Sequence, residues 1–187
     1  MPDNPSTLTI PRGSIFKSTV NKVDYNFITL QSYTSVNNGA EYIFDIDVSE
    51  GNLVSNTYTV SNNSQFVIPS READISSLNV TVYDSASSTN FNVFNKVDDL
   101  LTIRGIDKVF FVKQREDLFY EIYFGNDVIG KALQNGNIVG IDYLVTSGDV
   151  PNGAKEFFYS SGFRSDIIYE VTALTIASGG APEEDID

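Results

Sequence analysis

The stretch Val109-Phe-Phe-Val-Lys-Gln-Arg-Glu-Asp-Leu-Phe-Tyr-Glu-Ile-Tyr-Phe124 decides the fold class. Val109-Phe-Phe-Val112 is an apolar run of strand length, rich in β-branched and aromatic residues. Gln114 to Asp117 is a polar turn, and Leu118 to Phe124 returns as a second strand. Two such runs around a short polar connection predict a β-hairpin.

The same texture extends outward in both directions. Downstream, Ile138 to Val145 and Ile167 to Ile176 read as strands. Upstream, Leu8 to Ile10, Ile15-Phe16, Tyr25 to Thr29, Leu53 to Val60, Gln65 to Ile68 and Leu78 to Tyr83 do the same, with Asn, Ser, Gly and Asp clustered between them. Tyr42-Ile-Phe-Asp-Ile-Asp-Val48 alternates cleanly, with Tyr42, Phe44, Ile46 and Val48 on one face, as a half-buried strand requires. Val93 to Ile103 reads two ways, because Asn95 followed by Val97, Leu100 and Leu101 has the spacing of a short helix. The expected fold is mainly β: two small β-rich subdomains with sandwich-like sheets and a hairpin meander, and few short helices. A break at Gly105 divides an N-terminal β subdomain, 1–105, from a β-meander subdomain, 106–177. Residues 178–187 pass through Gly179 and Gly180 to Pro182 and a run of carboxylates, the opening of a helical continuation.

Composition narrows the chemistry. The chain has 187 residues with no Cys and no His, so thiol nucleophiles, Ser-His-Asp triads and Cys- or His-ligated metals are excluded. Lys and Arg number 12 against 25 Asp and Glu, giving a net charge of -13. Phosphate backbones and anionic membranes need clustered cations, so neither nucleic acid nor a membrane is an expected partner. No apolar run approaches the ~20 residues of a membrane helix. The opening Met1-Pro-Asp-Asn-Pro5 has no basic or apolar leader character, and the absence of Cys fits synthesis in a reducing cytosol. With 13 Phe and 10 Tyr the chain needs a core or an interface.

Several motifs invite chemistry and fall short of it. Gly125-Asn-Asp-Val-Ile-Gly-Lys131 matches a phosphate-binding loop, but Ala132 stands where Mg²⁺ needs a hydroxyl and a turn at Gly136 follows where a helix is needed. Asp45, Asp47 and Glu50 supply oxygen ligands for a weakly held Ca²⁺, yet they read better as the outward face of a strand. Asp98-Asp99 and Glu183-Glu184-Asp185 read as solvated charges. Sequons at Asn62 and Asn79 lack a secretory leader. Phe110-Phe111 and Phe157-Phe158-Tyr159 suit a core or subunit contact better than base stacking. No catalytic residue, metal, cofactor or small-molecule substrate is expected.

The segment from Tyr120 through Gly125, Asp127, Gly130, Gly136 and Tyr143 to Gly148, Asn152 and Gly153 resembles the central β region of the baseplate J-like proteins of contractile phage tails, of the T4-type baseplate wedge kind. That family has a strand ending in Phe-Gly, a glycine-punctuated turn, a Gly ahead of a Val/Ile strand, then a Tyr and a closing Asn-Gly. Leu8-Thr-Ile-Pro-Arg-Gly13-Ser-Ile-Phe16 resembles its opening strand, and Ser178-Gly-Gly-Ala-Pro-Glu183 its exit toward a helix. Asp127 departs from the pattern where the family often has Gly, though Asp tolerates the left-handed region. The resemblance implies a structural, non-enzymatic part of a virion tail baseplate, assembled in the host cytoplasm. It further implies joining to other wedge proteins and copies of itself, with those eight residues from Gly125 to Gly153 shaping turns and contacts. Two rivals stand beside it: a β-sandwich module contacting glycans or receptors through Tyr-rich loops, and a hydrolase built on paired carboxylates.

Overall fold

The computed structural model describes residues 5–39, 41–161 and 168–181. These residues contain thirteen strands and no helix. In chain order they are β1 (Thr7–Ile10), β2 (Ile15–Val20), β3 (Val23–Ile28), β4 (Tyr33–Val36), β5 (Ser49–Glu50), β6 (Asn52–Thr59), β7 (Phe66–Ile68), β8 (Ala73–Tyr83), β9 (Phe91–Lys96), β10 (Val109–Gln114), β11 (Tyr120–Phe124), β12 (Ile138–Val145) and β13 (Phe158–Tyr159). The chain divides into two compact units, one of residues 1–53 with 146–187 and one of residues 54–145.

The second unit holds a nearly closed sheet in the order β6-β12-β8-β9-β10-β11-β7. Its hairpin pairs β10 with β11 from Phe110 opposite Phe124 to Gln114 opposite Tyr120. The turn takes Arg115 to Phe119, closed by Arg115 N donating to Phe119 O at 2.8 Å. Leu118 adopts φ 68°, which delays the return strand to Tyr120. The two edge strands are bridged by Tyr58, whose hydroxyl donates to Val67 O at 2.6 Å and whose ring meets Phe66 edge-on at 5.7 Å. Ile68, Val80, Val139 and Ile141 are fully buried inside, with Phe66, Phe94 and Phe110. Such close packing of branched and aromatic side chains is the main stabilising term. A bulge in β8 shifts the β12 register between Asp142 and Leu144. Ser77 fills it, accepting from Leu144 N at 2.8 Å and donating to Asp74 O at 2.6 Å. Neighbouring Tyr143 and Leu144 are consequently both buried.

The first unit holds a sheet in the order β13-β2-β3-β5 and the separate pair β1-β4. The β2–β3 hairpin turns on Asn21 and Lys22, both at positive φ, the geometry that matches strand twist in two-residue turns. Its core gathers Ile10, Phe16, Phe27, Ala154 and Tyr159. Phe27 meets Phe157 edge-on at 4.9 Å.

The structure revises several sequence expectations. The helix over Val93 to Ile103 is absent. Val109 and Phe110 instead pair in parallel with Asn95 and Lys96, and Val97 N donates to Phe110 O at 3.1 Å, so the backbone is already committed to the sheet. The boundary at Gly105 falls inside the second unit, because that same parallel pairing crosses it. The junctions lie at 53/54 and 145/146, on β6 and β12, which neighbour each other in the sheet. Residues 41–48 keep their alternating exposure but form no strand. There the Tyr33 hydroxyl accepts from Asp47 N at 3.0 Å, while β4 pairs with β1, so side-chain packing alone enforces the alternation. Residues 168–176 likewise alternate for part of their length without a ladder, and Ile167 lies outside the described residues. Of the anticipated helical continuation, residues 178–181 show no regular structure and the remainder lies outside the described residues.

Candidate functional site

The glycine-punctuated segment builds a rigid double loop in the second unit. After β11, Asn126 Oδ1 accepts from Val128 N at 3.1 Å and Ile129 N at 3.0 Å, an Asx turn. Asp127 sits at φ 64°. Its N donates to Gly130 O at 2.9 Å, and its Oδ1 accepts from Ala132 N at 3.0 Å and Lys131 Nζ at 3.1 Å. Those contacts, the Ala132 amide foremost and then Lys131, lower the Asp127 pKa. Glycine is required for steric reasons at two positions: a Cβ on Gly125 would overlap the Gly130 carbonyl, and one on Gly105 would overlap the Asp127 carbonyl.

That last contact joins a second loop to the first. Gly130 N donates to Arg104 O at 3.2 Å and Lys131 N to Asp107 O at 2.8 Å. The second loop is braced in turn: Arg104 N donates to Asp107 Oδ2 at 2.8 Å and Arg104 Nη2 to Oδ1 at 2.9 Å. The side-chain hydrogen bond from Arg104 is the largest cause of a lowered Asp107 pKa. On this framework Leu101, Ile106 and Val128 are 93%, 72% and 73% exposed.

The other resemblance residues separate. Gly136, at φ 89°, donates its N to Val60 O at 2.9 Å. Tyr143 is buried and donates to Asn56 Oδ1 at 2.9 Å, and burial first, then Tyr58, raises its pKa. Gly148, Asn152 and Gly153 belong to the first unit. There Gly153 N donates to Ala177 O at 2.8 Å and Ala177 N to Ala154 O at 2.9 Å, so the loop after β12 is stitched to the tail. The segment from 120 to 153, continuous in sequence, thus serves two separate structural tasks.

Elsewhere, Glu50 is committed to Ser147, accepting from its N and Oγ at 2.9 Å each. Among the described residues no three carboxylates stand close enough to hold a cation. Asn79 donates to Asp142 Oδ2 at 3.2 Å, and Asn62 accepts from Asn135 at 2.6 Å. Glu121 escaped sequence reasoning: it is buried and accepts from the Tyr123 hydroxyl at 2.7 Å, a bond that heads the causes raising the Tyr123 pKa. Its only sequence signal was its place between apolar residues of a strand. The first unit also has a cavity of about 360 Å³ lined by Leu8, Ile10, Arg12, Tyr159, Ser161 and Tyr169 among others. The Tyr159 and Tyr169 rings stack there at 5.1 Å. No protein-family model matches the chain, and no curated protein matches it either.

Proposed function

We propose that this chain is a structural scaffold of a contractile-phage tail baseplate, a rigid β block that fixes the angle between wedge subunits. The resemblance carried by Tyr120 to Gly153 motivates the reading, and the double loop is the physical observation that carries it. Backbone contacts too close for a Cβ, at Gly105 and Gly125, hold a loop in one shape, and fixed shape is what a scaffold needs. On this reading the partners are other wedge proteins and copies of itself, and the chain works by geometry rather than by a reaction. The test is co-expression with the products of the neighbouring reading frames, followed by electron microscopy of whatever co-purifies. A multi-subunit particle containing this chain is the expected result; a chain that leaves the column free of all of them overturns the reading.

The cavity between Arg12 and the stacked Tyr159 and Tyr169 favours a second reading, a module that contacts glycans or receptors. Its volume lies at the small end of ligand pockets, and tyrosines offer flat apolar faces with a polar tip. A glycan array separates the two: selective binding to one sugar class, lost in Tyr169→Ala, supports the module.

A further inference from the structure

We propose that Asn38-Gly39 is a site of spontaneous covalent modification, where the Asn38 side chain closes on the Gly39 amide and becomes aspartate or isoaspartate. The inference does not depend on what the chain binds or assembles with.

The chain has three Asn-Gly pairs, Asn38-Gly39, Asn135-Gly136 and Asn152-Gly153. Asparagine is thermolabile, and a following glycine, lacking Cβ, lets its backbone nitrogen reach the side chain. That nitrogen, losing its proton to solvent base, attacks Asn Cγ. The N–Cγ bond forms, the Cγ–Nδ2 bond breaks, and Nδ2 leaves as ammonia. Water then opens the resulting succinimide. Opening at Cγ gives aspartate; opening at the backbone carbonyl gives isoaspartate, whose main chain runs through the side-chain methylene. Either way an amide and water become a carboxylate and ammonia.

Both residues of every pair are exposed, so access to water does not separate the three. The hold on the attacking nitrogen does, because an amide that donates a hydrogen bond keeps its proton more tightly. Gly136 N donates to Val60 O and Val60 N to Asn137 O, each at 2.9 Å, and the leaving group Asn135 Nδ2 donates to Asn62 Oδ1 at 2.6 Å. Gly153 N shares a similar pair of bonds with Ala177, and Gly180 holds both ends of the Asn152 amide. Freeing either nitrogen means parting backbone from a segment distant in sequence. Gly39 N donates instead to Asn37 Oδ1 at 2.7 Å, a side chain only two residues back, so a local rotation releases it. Glu41 N meanwhile donates to Asn38 Oδ1 at 3.0 Å, which draws electron density from the carbon under attack. Asn38 N also donates to Glu41 O at 3.2 Å, closing the loop that leaves β4, and the longer isoaspartyl main chain puts that turn out of register.

Peptide mapping by mass spectrometry, resolving aspartate from isoaspartate, follows the three sites in the full chain at mildly alkaline pH, folded and in urea. The unfolded chain gives each pair its ceiling rate. In the folded chain Asn38 should react first, roughly threefold to tenfold below its ceiling, with Asn135 and Asn152 roughly a hundredfold or more below theirs. Asn37→Ala takes the acceptor from Gly39 N and should raise the Asn38 rate to its ceiling, whereas Asn37→Asp keeps an acceptor and should not. Neither variant should move the rates at Asn135 and Asn152. A folded chain in which Asn38 is no faster than the other two, or an Asn37→Ala chain of unchanged circular dichroism in which the Asn38 rate stays put, overturns the inference. Should Asn37→Ala disturb the fold, the wild-type ranking and the Asn37→Asp rate decide it.

Discussion

The side-chain amide of Asn152 engages both backbone groups of Gly180, its Nδ2 donating to Gly180 O at 2.9 Å and its Oδ1 accepting from Gly180 N at 3.2 Å. One side chain thereby imitates the edge of a strand and clamps the tail to the loop at 148–154. A Cβ on Gly180 would overlap the Gly148 carbonyl, so the approach is as close as backbone allows.

Asn152→Ala removes both bonds and should cost about 1–2 kcal/mol, near 1 for each exposed hydrogen bond. Hydrogen exchange at the Gly180 and Ala177 amides is the direct readout, and both should accelerate. Asn152→Asp keeps the acceptor and loses the donor, so it should fall between. Unchanged exchange at Gly180 in the alanine variant contradicts the clamp.

Gly125 and Gly136 are glycines for different reasons, and alanine should separate them. Gly136 has φ 89° with open space around its Cα, so alanine there costs about 1–2 kcal/mol of backbone strain and leaves its neighbours in place. Gly125→Ala drives a methyl into the Gly130 carbonyl, costing about 1–3 kcal/mol by the scale of overpacking, and should strip protection from the Asp127 amide. Urea midpoints measure the first effect and exchange at Asp127 the second.

Acid should loosen the double loop before it unfolds the sheets. Asp107 and Asp127 both have folded pKa values depressed below the ordinary one. Their contribution is therefore complete above the unfolded carboxylate pKa and is lost as pH falls through the depressed folded values. The Arg104 and Ala132 amides, bonded to these carboxylates, should lose chemical-shift dispersion in that acid window during an NMR titration. Asp107→Ala should show the loosened loop already at neutral pH and a flatter profile.

At the alkaline end the relevant group is Tyr58. Burial raises its pKa, so its contribution is whole below the ordinary phenol pKa and fades as pH rises through the higher folded value. Tyr58→Phe leaves Val67 O without its donor and should cost about 0.5–1.5 kcal/mol. Spectrophotometric titration should show the phenols of Tyr58, Tyr143 and Tyr123 ionising above the ordinary phenol value. A single phenol transition at the ordinary value refutes this.

The fold was legible where pattern and pairing agree. The hairpin from Val109 to Phe124 and the strand from Ile138 to Val145 have side chains and backbone partners that ask for the same thing, and both formed. Residues 41–48 and 168–176 show the other case. Alternation there reports which side chains are buried and carries no information on whether a ladder partner exists. Val97, Leu100 and Leu101 mislead for a related reason: local spacing suits a helix, but distant Phe110 claims the backbone. In the double loop, the glycines were legible as turns. The exposure of Leu101, Ile106 and Val128 was not, since an apolar residue in a turn looks the same whether it points inward or outward.

The division of the chain has a consequence for its synthesis. Residues 54–145 emerge from the ribosome as one uninterrupted stretch and can complete their sheet as soon as β12 is out. The other unit has to wait. Its Ile15 amide is held by Ser161 Oγ at 2.7 Å, 146 residues further on, so β2 stays unpaired on its β13 side until Ser161 has been made. Folding of residues 54–145 first shortens the effective loop that must close between positions 15 and 161.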